Sequence, residues 1–467
     1  MNLILGETLN KSFFFFKKIN LLFNLFIFLK MRIFLLLIIF FFSKQVSAEF
    51  NPKTYTLKNG LEIVVLENHK VPAIAHSIWY KVGSADEPNG KSGIAHFLEH
   101  LLFKGTEKLK PGEFSQIIAK NGGKENAFTS KNYTGYFQLI HKSKLDLVMS
   151  LEADRMKNIK LIEKEFESEK TVVLEERYSR VDNNPSALLS EQINASLFMN
   201  HPYRKPIIGW EHEIKTLSLK DVMSFYEKYY APNNAIIVIC GDVYLKDVVK
   251  VAKKHFGSIK PSKIEERLWT KEPTQHAPRA VFLKSENTAI PVFKRYYLAP
   301  TYTKSKKESI ALEVFTEIFG NPSTGMLFEE FVKNKKIATS ASAYYYPDGF
   351  GETSFTISIV PKKGITLNKI ESELNRYLKE IKKNSISDIE LKSTKKRLVN
   401  ETIFAQDSLY MGMRIFGSSL STGYSLKDII NWPNDIQKVS QKDLQNIFLS
   451  FFDLNKSVTG LLLPKDK

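Results

Sequence analysis

The chain has 467 residues, 43% hydrophobic and 25% charged, a make-up that suits several buried cores and excludes a disordered or fibrous chain. Its formal charge of +17 comes from lysines spread in pairs such as Lys253-Lys254 and Lys306-Lys307. With no basic block interleaved with aromatics, there is no footprint for nucleic acid. Cys240 is the only cysteine, which excludes an intramolecular disulfide; within "AIIVICG" it reads as a small buried hydrophobe.

The N-terminus is a different kind of sequence. Residues 1–30 carry an apolar patch, "LLFNLFIFL", which is either an upstream start that is not used or part of an uncleaved anchor. "MRIFLLLIIFFFSKQVSA", residues 31–48, has a positive start, an apolar run from Ile33 to Phe42 and small residues ahead of Ala48. That is the pattern of a secretory signal peptide, and the run is short for a bilayer span. The expectation is export to the periplasm with cleavage after Ala48. Membrane association would need an uncleaved N-terminus.

Beyond Ala48, "GLEIVVLE", "AIAHSIWYKV", "YTGYFQLIH" and "AIIVICG" predict strands. Apolar periodicity predicts helices near 93–104, 111–120, 144–157, 161–179, 219–230 and 246–256. Further on, "AVFLK", "FKRYYLAP", "TSASAYYY" and "ETSFTISIV" predict strands, with helices near 308–319, 367–382 and 387–406.

The two sets are related. "IKTLSLKDVMSFYEKYYAPNNAIIVI" from Ile214 and "IQKVSQKDLQNIFLSFFDLNKSVTGLLL" from Ile436 align without gaps. Ser218 falls on Ser440, Asp221 on Asp443, Asn233 on Asn455 and Tyr229-Tyr230 on Phe451-Phe452. This is an internal repeat at domain scale. The fold class is α+β: two homologous halves, each a sandwich of helices on a mixed, largely antiparallel sheet. The expected division is residues 49–260, a proline-bearing linker at 261–278, and 279–467.

The chemistry sits in "SGIAHFLEHLLFKGT", from Ser92. On a helix, His96 and His100 share one face with Cβ atoms roughly 5–6 Å apart, close enough to bind one metal ion. Ile94, Leu98, Leu101 and Leu102 form the opposite, apolar face. Glu99 lies beside the pair as a candidate proton acceptor, and H-x-x-E-H is the inverted zincin pattern. One turn of an ordinary amphipathic helix would also fit. The repeat supplies a control: in "ESIALEVFTEIFG", Leu312, Phe315 and Thr316 stand where His96, Glu99 and His100 do. The helix itself does not demand the histidines. A third ligand would come from "EKEFESEKTVVLEERYSR", which offers Glu167, Glu169, Glu175 and Glu176.

From Val82 to Asp242 the sequence resembles the pitrilysin and insulin-degrading-enzyme family, most closely its mitochondrial-processing-peptidase-like bacterial branch. "VGSADE", "GIAHFLEHLLFKGT", "NGGKENAFTS", "EKTVVLEE", "HPYRKPIIG" and "YYAPNNAIIVICGD" follow the family's order and spacing. The resemblance implies a zinc metalloendopeptidase with one Zn2+ per chain, held by His96, His100 and a distal glutamate, and with Glu99 as general base. The family's two distal glutamates stand seven residues apart, which picks Glu176 as ligand and Glu169 as the carboxylate behind it; Glu175 is the alternative by one register step. It also implies an extended substrate against a sheet edge matching "NAFTS", with Asn126, Ala127 and Phe128 in contact.

One departure stands out. Self-sufficient members of the family carry an arginine and a tyrosine, seven residues apart, in the second half. Here Val332 and Thr339 take those positions, and neither can donate as required. Tyr344, Tyr345 and Tyr346 follow at the wrong spacing. The resemblance therefore implies the zinc-bearing member of a heterodimer whose partner supplies the pair. The alternatives are a chain that cuts alone and poorly or with other donors, and a non-catalytic assembly or chaperone-like subunit.

Overall fold

The computed structural model describes residues 50–268, 270–382 and 386–465. The expected signal peptide and its cleavage site lie outside the described residues. Among the described residues, no helix is long and apolar enough to cross a membrane.

Eleven strands are described: β1 (Lys53–Thr56), β2 (Glu62–Glu67), β3 (Ala73–Tyr80), β4 (Lys124–Thr129), β5 (Thr134–His141), β6 (Ala235–Gly241), β7 (Arg279–Ser285), β8 (Val292–Pro300), β9 (Ala338–Tyr345), β10 (Glu352–Pro361) and β11 (Ser457–Pro464). They form two sheets, ordered β1-β2-β6-β3-β5-β4 and β7-β11-β8-β10-β9. The orders match strand for strand once β1 is set aside. β6 runs parallel to β2 and antiparallel to β3, as β11 does to β7 and β8. The repeat is therefore one topology used twice.

The helices in the first part of the chain are α1 (Ile94–Leu101), α2 (Glu113–Lys120), α3 (Leu145–Lys157), α4 (Glu163–Arg177), α5 (Pro185–Leu197), α6 (Glu211–Thr216), α7 (Leu219–Tyr229) and α8 (Leu245–Phe256). The later ones are α9 (Lys306–Gly320), α10 (Leu367–Ile381), α11 (Asp388–Asp407), α12 (Leu409–Ser421), α13 (Leu426–Lys438) and α14 (Gln441–Ser450). The aligned serines start α7 and α14 in the same way. Ser218 and Ser440 each cap the helix through the side-chain oxygen, and their backbone amides donate back to the carboxylates of Asp221 and Asp443. Sequence periodicity did not single out β1, β4, α5, α6, α12 or α13. It also ended α4 two residues late, where the chain continues from Arg177 into a π-turn over Tyr178–Asp182.

One face of the first sheet buries Ile63, Ile78 and Ile237 against Phe97, Val148, Phe225 and Val248 of α1, α3, α7 and α8. The other face, with Val64, Trp79 and Val238, joins the core of the second part of the chain. What covers it is α12, which packs on β6 and β3. Reciprocally, α5 packs on β11, β7 and β8 of the second sheet, burying Leu189, Ile193 and Leu197 against Val458 and Leu462. The two helices are exchanged. Each close approach uses a glycine, Gly417 over Trp79 and Gly460 beneath Ile193. Cys240 is buried, next to Gly412 of α12.

Residues 261–278 contain no helix or strand among those described. They are tied down nonetheless: Arg267 pairs with Asp86 at 2.9 Å and donates to Asn132 O at 2.8 Å. The Glu272 carboxylate accepts from the amides of Met199 and Asn200 at 2.9 and 2.8 Å.

Candidate metal centre

α1 starts at Gly93, whose φ of 88° lies in the left-handed region, and a Cβ there would stand 2.6 Å from Ile208 O. Only glycine lets the helix begin so close to the 208–209 backbone. Glu87 accepts from the amides of Gly93 and Ala95, each at 3.0 Å, which satisfies two of the open N–H groups at the helix start. Phe97 packs on Phe166 of α4 at 5.0 Å between ring centroids, and this joins α1 to the acidic helix.

With the two helices joined, His96, His100 and Glu176 each offer a ligand atom within 4.8 Å of the others. The imidazole rings stand 4.7 Å apart. Glu176 Oε2 is 3.1 Å from His100 Nε2 and 3.6 Å from His96 Nε2, and this oxygen is buried without a hydrogen-bond donor. Two ligand atoms about 2.1 Å from a tetrahedral zinc ion stand about 3.4 Å apart. The observed separations straddle that value, so the donor set fits zinc. On the far side of His100, Nδ1 is bonded to Glu169 at 2.9 Å, and this leaves Nε2 to face the cluster. Lys104 in turn holds the other oxygen of Glu169.

Burial and the neighbouring His100 push the His96 imidazole down to about 4, so it is neutral and keeps its lone pair at pH 7. Burial also opposes a charge on His100, but the contacts with Glu169 and Glu176 pull it up to about 9. A metal bound there must displace a proton. Burial holds the Glu99 carboxyl above its ordinary range, against the pull of the Thr129 hydroxyl, which donates to Oε2 at 2.5 Å. A carboxylate raised in this way is a better proton acceptor.

The cluster opens into a cleft of about 830 Å³. Asn126, Ala127 and Phe128 line it from β4, the edge strand of the first sheet, together with Glu99, Glu169 and Glu176. Glu175 and Glu167 are exposed and outside the cluster. Three polar lining residues were missed by sequence reasoning, beside the apolar Phe103, Val172, Val181, Ile207 and Ile208. Arg180 pairs with Glu176 Oε1 at 2.8 Å, Lys104 holds Glu169, and Thr129 holds Glu99. The four-residue step from Glu176 to Arg180 was the available signal. All the lining residues fall between His96 and Ile208. Val332 packs against the second core, and Thr339 is exposed on β9 with its hydroxyl bonded to Val360 O at 3.3 Å. The control helix α9 buries Leu312 and Phe315 as plain core, and Thr316 bonds back to Leu312 O at 2.6 Å.

Comparison with known families places this geometry. Residues 63–211 match the model for insulinase, peptidase family M16, and residues 216–398 match that for the M16 inactive domain. The chain is 32% identical over 422 residues to the zinc protease PqqE of Helicobacter pylori, covering 88% of this chain and 93% of that one. The crystal structure of a protease from Helicobacter pylori superposes with a TM-score of 0.84 at 31% identity, over 89% of this chain and all of that one. The periplasmic protease PqqL of Escherichia coli shares the fold, with a TM-score of 0.73 at 18% identity, over 88% of this chain and 47% of that one. The chain belongs to the M16 family of metallopeptidases, the family of insulinase and pitrilysin.

Proposed function

We propose that the protein is a zinc-dependent endopeptidase that cleaves peptides or unfolded segments in the periplasm, and that it is the catalytic chain of a heterodimer. The observation that carries the reading is the convergence of His96, His100 and Glu176 beside Glu99, which is itself bonded to the cleft edge through Thr129. In this reading residues 49–260 form the catalytic half, 261–278 the linker and 279–467 the half without the metal residues. A zinc ion held by His96, His100 and Glu176, one per chain, would supply Lewis acidity to the scissile carbonyl and the attacking water.

The protein's own residues do the rest. An extended substrate adds to the open edge of β4, where Asn126, Ala127 and Phe128 meet it. Glu99 takes the proton of the attacking water and returns it to the leaving amine. Glu169 keeps the His100 imidazole turned toward the cluster. Two observations support the two-chain arrangement. Val332 and Thr339 provide no donor to the transition-state oxyanion, and the described cleft draws none of its lining from the second half. The location rests on the residue 31–48 pattern and on the periplasmic PqqL sharing the fold.

The test is Glu99→Gln, assayed with the partner chain present. It should retain one zinc per chain by elemental analysis while peptide turnover falls by roughly 10²–10⁴, the usual worth of a general base. Unchanged turnover would remove Glu99 from its role. A wild-type chain that binds no zinc and cleaves nothing with its partner would instead favour the assembly-subunit reading.

A further inference from the structure

The second part of the chain holds a cavity of about 300 Å³ that takes no part in the chemistry above. Its walls include Phe50, Tyr424 and Trp432, with the apolar side chains of Leu398, Met411 and Ile415. These walls are braced: Phe50 stands edge-on to Phe416 at 5.2 Å, and Tyr424 is stacked on Tyr302 at 4.0 Å. Four carboxyls line the space, Glu313 of α9, Asp348 from the β9–β10 turn, Glu401 of α11 and Asp428 of α13.

Asp428 is paired with Lys306 at 2.7 Å, whereas the other three are short of counter-charge. Trp432 Nε1 donates to Glu313 Oε2 at 3.0 Å, but Glu313 Oε1 is buried without any partner. Asp348 lies among the Tyr424 and Ser418 hydroxyls, and Arg414 acts on it through space. Among the described residues no ion pair reaches Glu313, Asp348 or Glu401. Lys306 is held by Asp428 and Asp435 at 2.7 and 2.9 Å, and Arg397 by Glu317 at 2.9 Å. Burial pushes the Glu313 carboxyl up to about 8 and raises Asp348 and Glu401 as well. Unpaired carboxylates in such a site are costly, and either a proton or a cation relieves them.

The repeat again serves as control. With Ile310-Ala311 on Ile94-Ala95, position 313 corresponds to Phe97, which packs on Phe166 in the first half. The helix builds its core without an acid there. Glu313 is a departure from the repeat, an acid lining the cavity where the first half has a ring packed in its core.

We propose that this cavity is a binding site for a small organic monocation, a primary ammonium or guanidinium on a short apolar arm. The charged head takes Glu313 Oε1 and Asp348 as acceptors, the aromatic walls add cation–π attraction, and the arm lies along Leu398, Met411 and Ile415. A bare divalent cation is a poor match, because such ions take six or more oxygen ligands and these walls are largely apolar.

Titration calorimetry on the purified protein tests this, with n-butylammonium and n-butylguanidinium as probes and n-butanol as the neutral control. Both cations should bind, and Glu313→Gln, an isosteric change that removes the unpaired charge, should weaken binding about tenfold or more, as loss of a charge-assisted hydrogen bond does. No cation binding overturns the proposal. So does n-butanol binding as well as the cations, or an affinity unchanged in both Glu313→Gln and Asp348→Asn.

Discussion

Gly417→Ala should destabilise the protein by about 2 kcal/mol, whereas Gly460→Ala, its counterpart in the other exchanged helix contact, should be close to neutral. A Cβ at Gly417 would fall 1.9 Å from Trp79 Cε2 and 2.3 Å from its Cζ2 and Nε1. The indole cannot retreat. It is fully buried, its N–H is bonded to Ser77 Oγ at 2.8 Å, and Phe128 and Tyr133 stand 4.8 and 5.1 Å away. Overpacking against so rigid a neighbour costs roughly 3 kcal/mol, and replacing a mid-helix glycine returns about 1. At Gly460 the nearest atom is the Cδ1 methyl of Ile193 at 2.1 Å, the free end of a side chain. Turning it off its rotamer costs about 0.5–1.5 kcal/mol, which the gain from losing a strand glycine nearly cancels. Urea midpoints of the two variants measured side by side check this. Because Phe128 also lines the cleft, with Arg414 stacked over it at 4.2 Å, Gly417→Ala should raise KM for peptides as well. Equal midpoints in the two variants would refute the argument that the rigidity of the neighbour decides the cost.

The remaining predictions concern the site. His96→Ala and His100→Ala should each abolish bound zinc, and Glu176→Gln should weaken it while Glu175→Gln does not; elemental analysis showing the reverse for the two glutamates would move the ligand by one residue. Glu169→Gln should loosen zinc by about 10–100-fold in chelator competition, because it frees the ring orientation of His100 without removing a ligand. The chain alone should hydrolyse peptides feebly, since one missing oxyanion donor costs about 10²–10³ in rate, and a homologous chain carrying the arginine and tyrosine should restore activity. Turnover near 10 s⁻¹, roughly an ordinary enzyme's rate, from the lone chain would sink the two-chain reading.

The parts of this protein that could be read from sequence are those fixed by local geometry. His96 and His100 share a face because helical spacing requires it. The two sheets were visible through their repeat, down to the caps at Ser218 and Ser440. The exchanged helices were not. "PSALLSEQINASL" and "LYMGMRIFGSSLS" carry serines, and the second also Gly412 and Gly417, which weaken the helical signal, yet small residues are what a helix needs to lie against a sheet at Trp79 or Cys240. The step that separates Glu176 from Glu175 was equally hidden. α4 is weakly amphipathic because its inward face carries Glu169 and Arg177 alongside Phe166 and Val173, so apolar periodicity could not set the register. Arg180 and Lys104 are unremarkable in a lysine-rich sequence until α1 and α4 come together.

The exchange of helices also sets a timetable. The first sheet is complete once Gly241 has been made, but the helix that covers its Trp79 face ends at Ser421, 180 residues later (421 − 241). A chain that folds as it emerges N-terminus first, as an exported chain does, presents an uncovered apolar face until those residues arrive, and any neighbouring copy that is further along presents the helix that fits it. Cross-covered pairs of chains are therefore the characteristic misassembly of this architecture, favoured by crowded synthesis and reduced by dilution.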